Sequence, residues 1–185
     1  MNLKLSYLIT TDEKGKALGV EEKAACHAGD GIRHHAFLVL IRDIRDRLML
    51  ARRSRLKTLW PRFWDGTVAG HFSPGEDREA ALVRRVKEET GLDCGAPAHL
   101  IGFAYEARYE EAGIEKEYCD VFLASGVSTE TIPLNPAEVS ECRFVDVPEA
   151  ERMIAAGALE FTPWFVTAFG KCMQIGLPGR GGSHL

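Results

Sequence analysis

Residues 70–92, GHFSPGEDREAALVRRVKEETGL, constrain the fold more than any other stretch of this chain. Pro74 and Gly75 turn the backbone tightly, and Asp77 stands where a carboxylate caps the free N–H groups of a helix start. An alanine-rich run with Val83 and Val86 on one face follows, and Gly91 marks the C-terminal stop. The spacing predicts a helix from Asp77 to Glu89 or Thr90. Such a helix sets Arg84 beside Glu88 and Arg85 beside Glu89, each pair four residues apart on a shared face. Glu88 and Glu89 are hard oxygen donors at one helix end, suited to a divalent cation, or else an ordinary solvated terminus. Arg85 also has two readings: half of a surface pair worth about 0.3–0.5 kcal/mol, or a guanidinium turned toward phosphate oxygens.

With 185 residues the chain is long enough for one well-filled core and too short for two ordinary domains with a linker. We expect a single domain over 1–175 and a glycine-rich flexible tail over 176–185. The formal charge of −4 and a 27% charged fraction suit a soluble globular protein. They give no electrostatic case for nucleic acid or an anionic membrane, so the expected partner is a small molecule. The opening MNLKLSYLIT lacks the apolar length of a signal peptide, and no run approaches membrane-spanning length. Five scattered cysteines, Cys26, Cys94, Cys119, Cys142 and Cys172, show no Cys-x-x-Cys spacing, which predicts reduced thiols and a cytoplasmic location.

The order of elements follows from apolar runs and turns. Residues 6–10 read as a strand with 17–20 pairing back, and 35–41 with 48–51 as a hairpin around a charged turn. Residues 52–61 form a basic, Trp-containing loop. Strands are expected over 100–108 and 117–124 around an acidic loop at 110–115, with another at 142–147. Helices over 148–156 and 163–175 close the chain. Strands on both sides of one central helix, with helices at the end, predict an α/β fold in which a mixed sheet is sandwiched between helices.

The block over 70–92 resembles the Nudix box: Gly, five residues, Glu, seven residues, then Arg-Glu-apolar-x-Glu-Glu-x-Gly-apolar. Arg85 stands in place of the first glutamate of the Arg-Glu pair. The resemblance implies the Nudix fold, carboxylates that hold divalent cations on a diphosphate, and a loop-fixing role for Glu76.

A second set of residues resembles type I isopentenyl-diphosphate isomerases, a family on the same fold. His27 and His34 lie seven apart before Ala36 and Phe37, His71 follows Gly70, and Glu115 and Glu117 form a Glu-x-Glu in EKEYCDVF. Three imidazoles and two carboxylates suit a borderline ion such as Mn²⁺, Zn²⁺ or Fe²⁺. His35 has no place in the pattern and reads as an ordinary strand residue. The resemblance also accounts for Arg85, since these isomerases carry Arg-Arg at that point of the box. It implies that Glu89 helps hold Mg²⁺ on the substrate diphosphate, and that Lys23, Arg53 and Lys57 ring that diphosphate. It further implies that Trp164 lends a π face to a tertiary carbocation and that Glu117 transfers a proton. From the residues alone, the cations read equally as a solvated basic loop and Trp164 as a core aromatic.

One position departs from the pattern. The second proton-transfer group of the family is a cysteine immediately before the Gly-His, and this chain has Ala69 there. Cys26 and Cys119 lie beside expected ligands but read as small buried thiols. Three functions follow. The first is an isomerase-like enzyme performing the 1,3-proton shift between isopentenyl and dimethylallyl diphosphate; the second is a Nudix hydrolase using Glu88 and Glu89; the third is a diphosphate-binding protein without catalysis.

Overall fold

The structure, a computed structural model, describes residues 6–157 and 160–177. Residues 178–185 of the expected tail lie outside the described residues. The elements run β1 (Tyr7–Thr11), β2 (Ala17–Glu22), α1 (Lys23–His27), β3 (His34–Asp43), β4 (Leu48–Arg53), β5 (Trp64–Asp65), β6 (Val68–His71), α2 (Arg78–Thr90), β7 (Ala98–Tyr109), β8 (Gly113–Val127), β9 (Val139–Val145), α3 (Val147–Ala155) and α4 (Pro163–Gln174).

β3, HHAFLVLIRD, is buried along its whole length because both its edges and both its faces are covered. One edge runs parallel to β8 from His34↔Glu117 to Asp43↔Val127. The other edge is shared by three antiparallel partners: β1 at Thr10↔His34, β6 from Ala36↔His71 to Val39↔Val68, and β4 at Ile41↔Met49 and Arg42↔Leu48. β7 pairs with the far edge of β8, and β4 carries β5 and β9. The result is the expected mixed sheet with helices on both faces.

Because side chains alternate across a strand, β3 feeds two cores. Ala36, Leu38 and Leu40 pack with Trp164, Phe165 and Phe169 of α4, whereas Phe37, Val39 and Ile41 pack with Ala81, Leu82 and Val86 of α2. The same parity sends His34 toward the α4 side and His35 toward the α2 side. α2 forms as its sequence predicts: Asp77 accepts from the Ala80 N–H at 2.9 Å, a cap worth about 1 kcal/mol, and Gly91 ends the helix at φ 70°. A Cβ at Gly91 would lie 2.3 Å from Pro133, so no larger residue fits. Val86 is buried within this face while Val83 is only partly covered.

Three local expectations change. The acidic loop is a tight turn at residues 110–112, and Glu115 belongs to β8, because β7 and β8 continue their ladder to Tyr109↔Gly113. Arg52 and Arg53 finish β4 rather than opening the basic loop, since β9 pairs with them. α1, β5 and β6 are too short for any periodic signal in the sequence, and α1 is what delivers Lys23 and His27.

Candidate active site

A cavity of about 680 Å³ opens between α1, the 54–61 loop, α2 and the sheet. His27 comes from the end of α1, His34 from the start of β3, His71 from the end of β6, and Glu115 and Glu117 from β8. Their ligand atoms all lie within 4.8 Å of one another. The His34↔Glu117 register on one edge of β3 and Ala36↔His71 on the other bring three of them together.

Two tautomers are set by the backbone. His27 Nδ1 lies 2.7 Å from the Lys23 carbonyl and His34 Nδ1 lies 2.8 Å from the Ile32 carbonyl, so both nitrogens donate there. That leaves each Nε2 as a lone pair facing the centre, the arrangement by which proteins prepare imidazole for metal. Nε2 of His34 and Nε2 of His71 are 3.1 Å apart, and His71 Nε2 is 2.8 Å from Glu117 Oε1. Glu115 Oε2 is 2.9 Å from His27 Nε2 yet has no donor in hydrogen-bonding geometry. A buried carboxylate oxygen without a donor, among converging imidazole lone pairs, fits a cation.

The electrostatics agree with that division of labour. Burial pushes the His71 imidazole down to about 4, so it is neutral at physiological pH. Burial opposes ionisation of Glu117, but the His34 and His71 imidazoles, whose Nε2 atoms lie 3.3 and 2.8 Å from its Oε1, overcome it and hold this carboxyl well below its usual range. Burial and the neighbouring Glu117 charge raise Glu115. Tyr105, which the sequence reading did not single out, donates its hydroxyl to Glu117 Oε2; burial, reinforced by the Glu117 charge, lifts the phenol well above its usual range. Its position on β7, facing the cavity opposite Glu117 (Tyr105↔Glu117), is a matter of long-range register rather than local pattern.

The other end of the cavity is cationic. Lys23, Arg53, Lys57, Arg84 and Arg85 line it. Burial lowers the Lys23 pKa, with Glu115 pulling the other way. Arg53 donates to the carbonyls of Leu59 (2.8 Å) and Trp60 (3.0 Å), lies 3.5 Å from Asp65, and stacks 5.1 Å over the Trp164 ring. Trp164 is held in turn by Nε1 bonds of 3.0 and 2.9 Å to Asp65. Lys57 pairs with Glu138, and Arg85 pairs with Glu89, with Glu88 at 3.0 Å and with Glu138 at 3.7 Å. Asp65 and Glu138 had no signal in the sequence, because each is identified only by partners far away in the chain.

The two box glutamates part company. Glu89 is buried beneath Arg85, and burial, partly offset by Arg85 and Lys57, raises it to about 7. It borders a small void with Glu138, Asp65 and Lys57. Glu88 turns outward, where Arg84 (3.0 Å) and Arg85 neutralise it, and it lines neither space. Arg84 also binds Glu76 at 2.7 Å, which ties the loop before α2 to the helix. Ala69 lies on the cavity wall, as does Cys119, while Cys26 is fully buried away from it. Burial raises the Cys119 thiol well above its usual range. His35 faces the opposite side of the sheet and bonds Asp120 at 2.8 Å.

The NUDIX domain family matches residues 32–165. Solved structures share the architecture. The DR0079 protein of Deinococcus radiodurans superposes with a TM-score of 0.71 over 90% of this chain and 99% of that one, at 21% identity. A MutT protein from Methanosarcina mazei does so with a TM-score of 0.60 over 76% and 91%, at 23% identity. The chain therefore belongs to the NUDIX domain family, with an α/β Nudix fold. Within that family it falls among relatives named isopentenyl-diphosphate Delta-isomerase. One from Brevibacterium linens is 37% identical over 92% of this chain and 93% of the relative, and one from Haloarcula marismortui is 36% identical over 87% and 88%. No helix among the described residues is long and apolar enough to cross a membrane.

Proposed function

We propose that this protein binds isopentenyl or dimethylallyl diphosphate in the 680 Å³ cavity and interconverts them by a 1,3-proton shift. The observation that carries this reading is the joining of two unlike ends in one cavity: a His₃Glu₂ cluster with proton-handling neighbours, and a ring of Lys23, Arg53, Lys57 and Arg85. Such cations make charge-assisted bonds to diphosphate oxygens, and Arg does so in bidentate fashion. That orientation sets the five-carbon end against Glu117, Tyr105 and Trp164.

His27, His34, His71, Glu115 and Glu117 would hold a transition ion such as Mn²⁺ or Zn²⁺, and Glu89 would help hold Mg²⁺ on the diphosphate. When bound, the cluster ion supplies Lewis acidity and fixes the carboxylates. Glu117 and Tyr105 share one hydrogen bond and form a single unit that can give or take a proton at the substrate carbon. The Trp164 ring, oriented by Asp65, offers its π system to the positive charge that develops on the tertiary carbon.

Ala69 favours a second reading, binding without turnover, because the shift adds a proton at one carbon and removes one from another, and a methyl on the cavity wall cannot serve as the second acid/base group. Hydrolysis is the weaker alternative: Glu88 is turned away and Arg85 replaces a box carboxylate. Incubation with isopentenyl diphosphate, Mg²⁺ and Mn²⁺ tests all three. Dimethylallyl diphosphate supports the isomerase, released phosphate supports the hydrolase, and saturable binding without product supports the binder. Restoring the thiol with Ala69→Cys is expected to raise isomerisation. A folded, metal-loaded Ala69→Cys protein with no isomerase activity would sink the isomerase reading.

A further inference from the structure

Among the carboxylates lining the cavity, Glu115 and Glu117 belong to the histidine cluster, and Glu138 alone stands among the cations. It pairs with Lys57 and approaches Arg85 at 3.7 Å, so one carboxylate that lines the cavity faces two of the groups assigned to the diphosphate, Arg85 being held more closely from outside that lining by Glu89 and Glu88. Its position is built. The Glu138 N–H donates to the Asn135 carbonyl at 2.9 Å, and its own carbonyl accepts from Ser54 N–H at 2.9 Å. Ser54 Oγ donates to the Pro136 carbonyl at 2.8 Å, and Asn135 N–H donates to the Glu89 carbonyl at 2.8 Å. The turn is thus tied both to the basic loop that carries Lys57 and to the end of α2.

Burial disfavours the charge on Glu138, but Lys57 and Arg85 outweigh it and keep the group below the usual carboxylate range. A bare diphosphate reaching Lys57 and Arg85 meets this fixed negative charge at close range. The repulsion disappears only if the anion brings a divalent cation that the carboxylate can face.

We infer that Glu138 is a specificity-determining counter-ion, which makes the cationic end accept a diphosphate as its divalent-cation complex and reject the free anion. This inference rests on the diphosphate reading of the cavity. It assigns Glu138 a discriminating role: Lys57 and Arg85 provide attraction, and Glu138 sets the condition under which they exert it.

The test is calorimetric binding of inorganic diphosphate to the full chain, with chelator and with excess Mg²⁺. Glu138→Gln should bind the free anion at least about tenfold more tightly than the parent protein in chelator, while in Mg²⁺ the two should agree within about threefold. Glu138→Asp keeps the charge and should resemble the parent. Glu138→Ala, which drops the charge without adding an amide, should move as Glu138→Gln does. Equal or weaker binding of the free anion by both neutral variants overturns the inference, as does a gap that persists unchanged in Mg²⁺. If the parent protein fails to bind diphosphate even with Mg²⁺, the reading of the cavity falls and the inference with it. A diphosphate that binds well but indifferently to residue 138 removes the inference alone.

Discussion

His34 and His35 are consecutive and equally buried, at 0% and 1% exposure, and the pleat of β3 sends them to opposite faces of one sheet. On the His35 face the protein completes its own polar network. Asp120 accepts from His35 at 2.8 Å and from His99 at 2.9 Å, with Arg78 3.6 Å away, and Arg78 also donates toward His35 Nδ1 at 3.4 Å. On the His34 face three imidazoles and two carboxylates crowd together, two of the imidazoles keep Nδ1 on backbone carbonyls, and a Glu115 oxygen is left without a donor. Buried histidine beside buried carboxylate is common to both. The difference is that protein cations and N–H groups close one network, whereas the other leaves a Glu115 oxygen without a donor, where the proposed ion would be held.

Glu117→Gln is the substitution that should break this contrast most severely: isomerase turnover, once established for the chain or its Ala69→Cys variant, should fall by about 10³-fold, while Asp120→Asn stays within about threefold. Product formation by mass spectrometry measures both. Next in size is the response to metal. A transition ion at about 100 times its Kd should stabilise the protein by roughly 2.7 kcal/mol, seen as a higher Tm and about one ion per chain by elemental analysis. His71→Ala should abolish that gain and His35→Ala should keep it; the reverse pattern would exchange the roles of the two faces.

Asp120→Asn should cost about 1–3 kcal/mol in urea unfolding, because it leaves two imidazoles with a weaker acceptor. Hydrogen bonds from His35 and His99 overcome the burial penalty and hold Asp120 below its ordinary value of 3.8. The folded protein thus binds fewer protons than the unfolded chain in that range. The stabilisation is present above the unfolded value and is lost as pH falls through the folded one, so Asp120→Asn should flatten the acid limb of the stability curve. Smallest of all is Glu88→Gln. This outward group is expected to change stability by no more than about 0.5 kcal/mol and to leave metal content untouched; a loss of bound ion would return Glu88 to the site.

Much of this contrast is legible in the sequence. The capped helix of 70–92 and its glycine stop follow from local chemistry, the five cluster positions follow from resemblance, and His35 falls outside that spacing. Tyr105, Asp65 and Glu138 were not legible, because each acquires its role from a strand or loop dozens of residues away: Tyr105 from Glu117, Asp65 from Trp164, Glu138 from Lys57. From the residues alone Glu88 and Glu89 are equivalent, and the resemblance singles out Glu89. A rotation of about 100° per residue separates them, enough to bury one beneath Arg85 and leave the other in solvent.

The pairing of β3 on both its edges has a consequence for biogenesis. Its four neighbours, β1, β4, β6 and β8, come from both halves of the chain, and the strand that supplies Glu115 and Glu117 is the last of them to be synthesised. A ribosome-bound intermediate that has already exposed His27, His34 and His71 therefore cannot assemble the full donor set, and long-range parallel pairing is the slow part of such topologies. If the five residues hold an ion as proposed, its capture becomes a checkpoint on completed folding. A pulse-labelled nascent chain should acquire metal-dependent protease resistance only after residue 127 has cleared the exit tunnel.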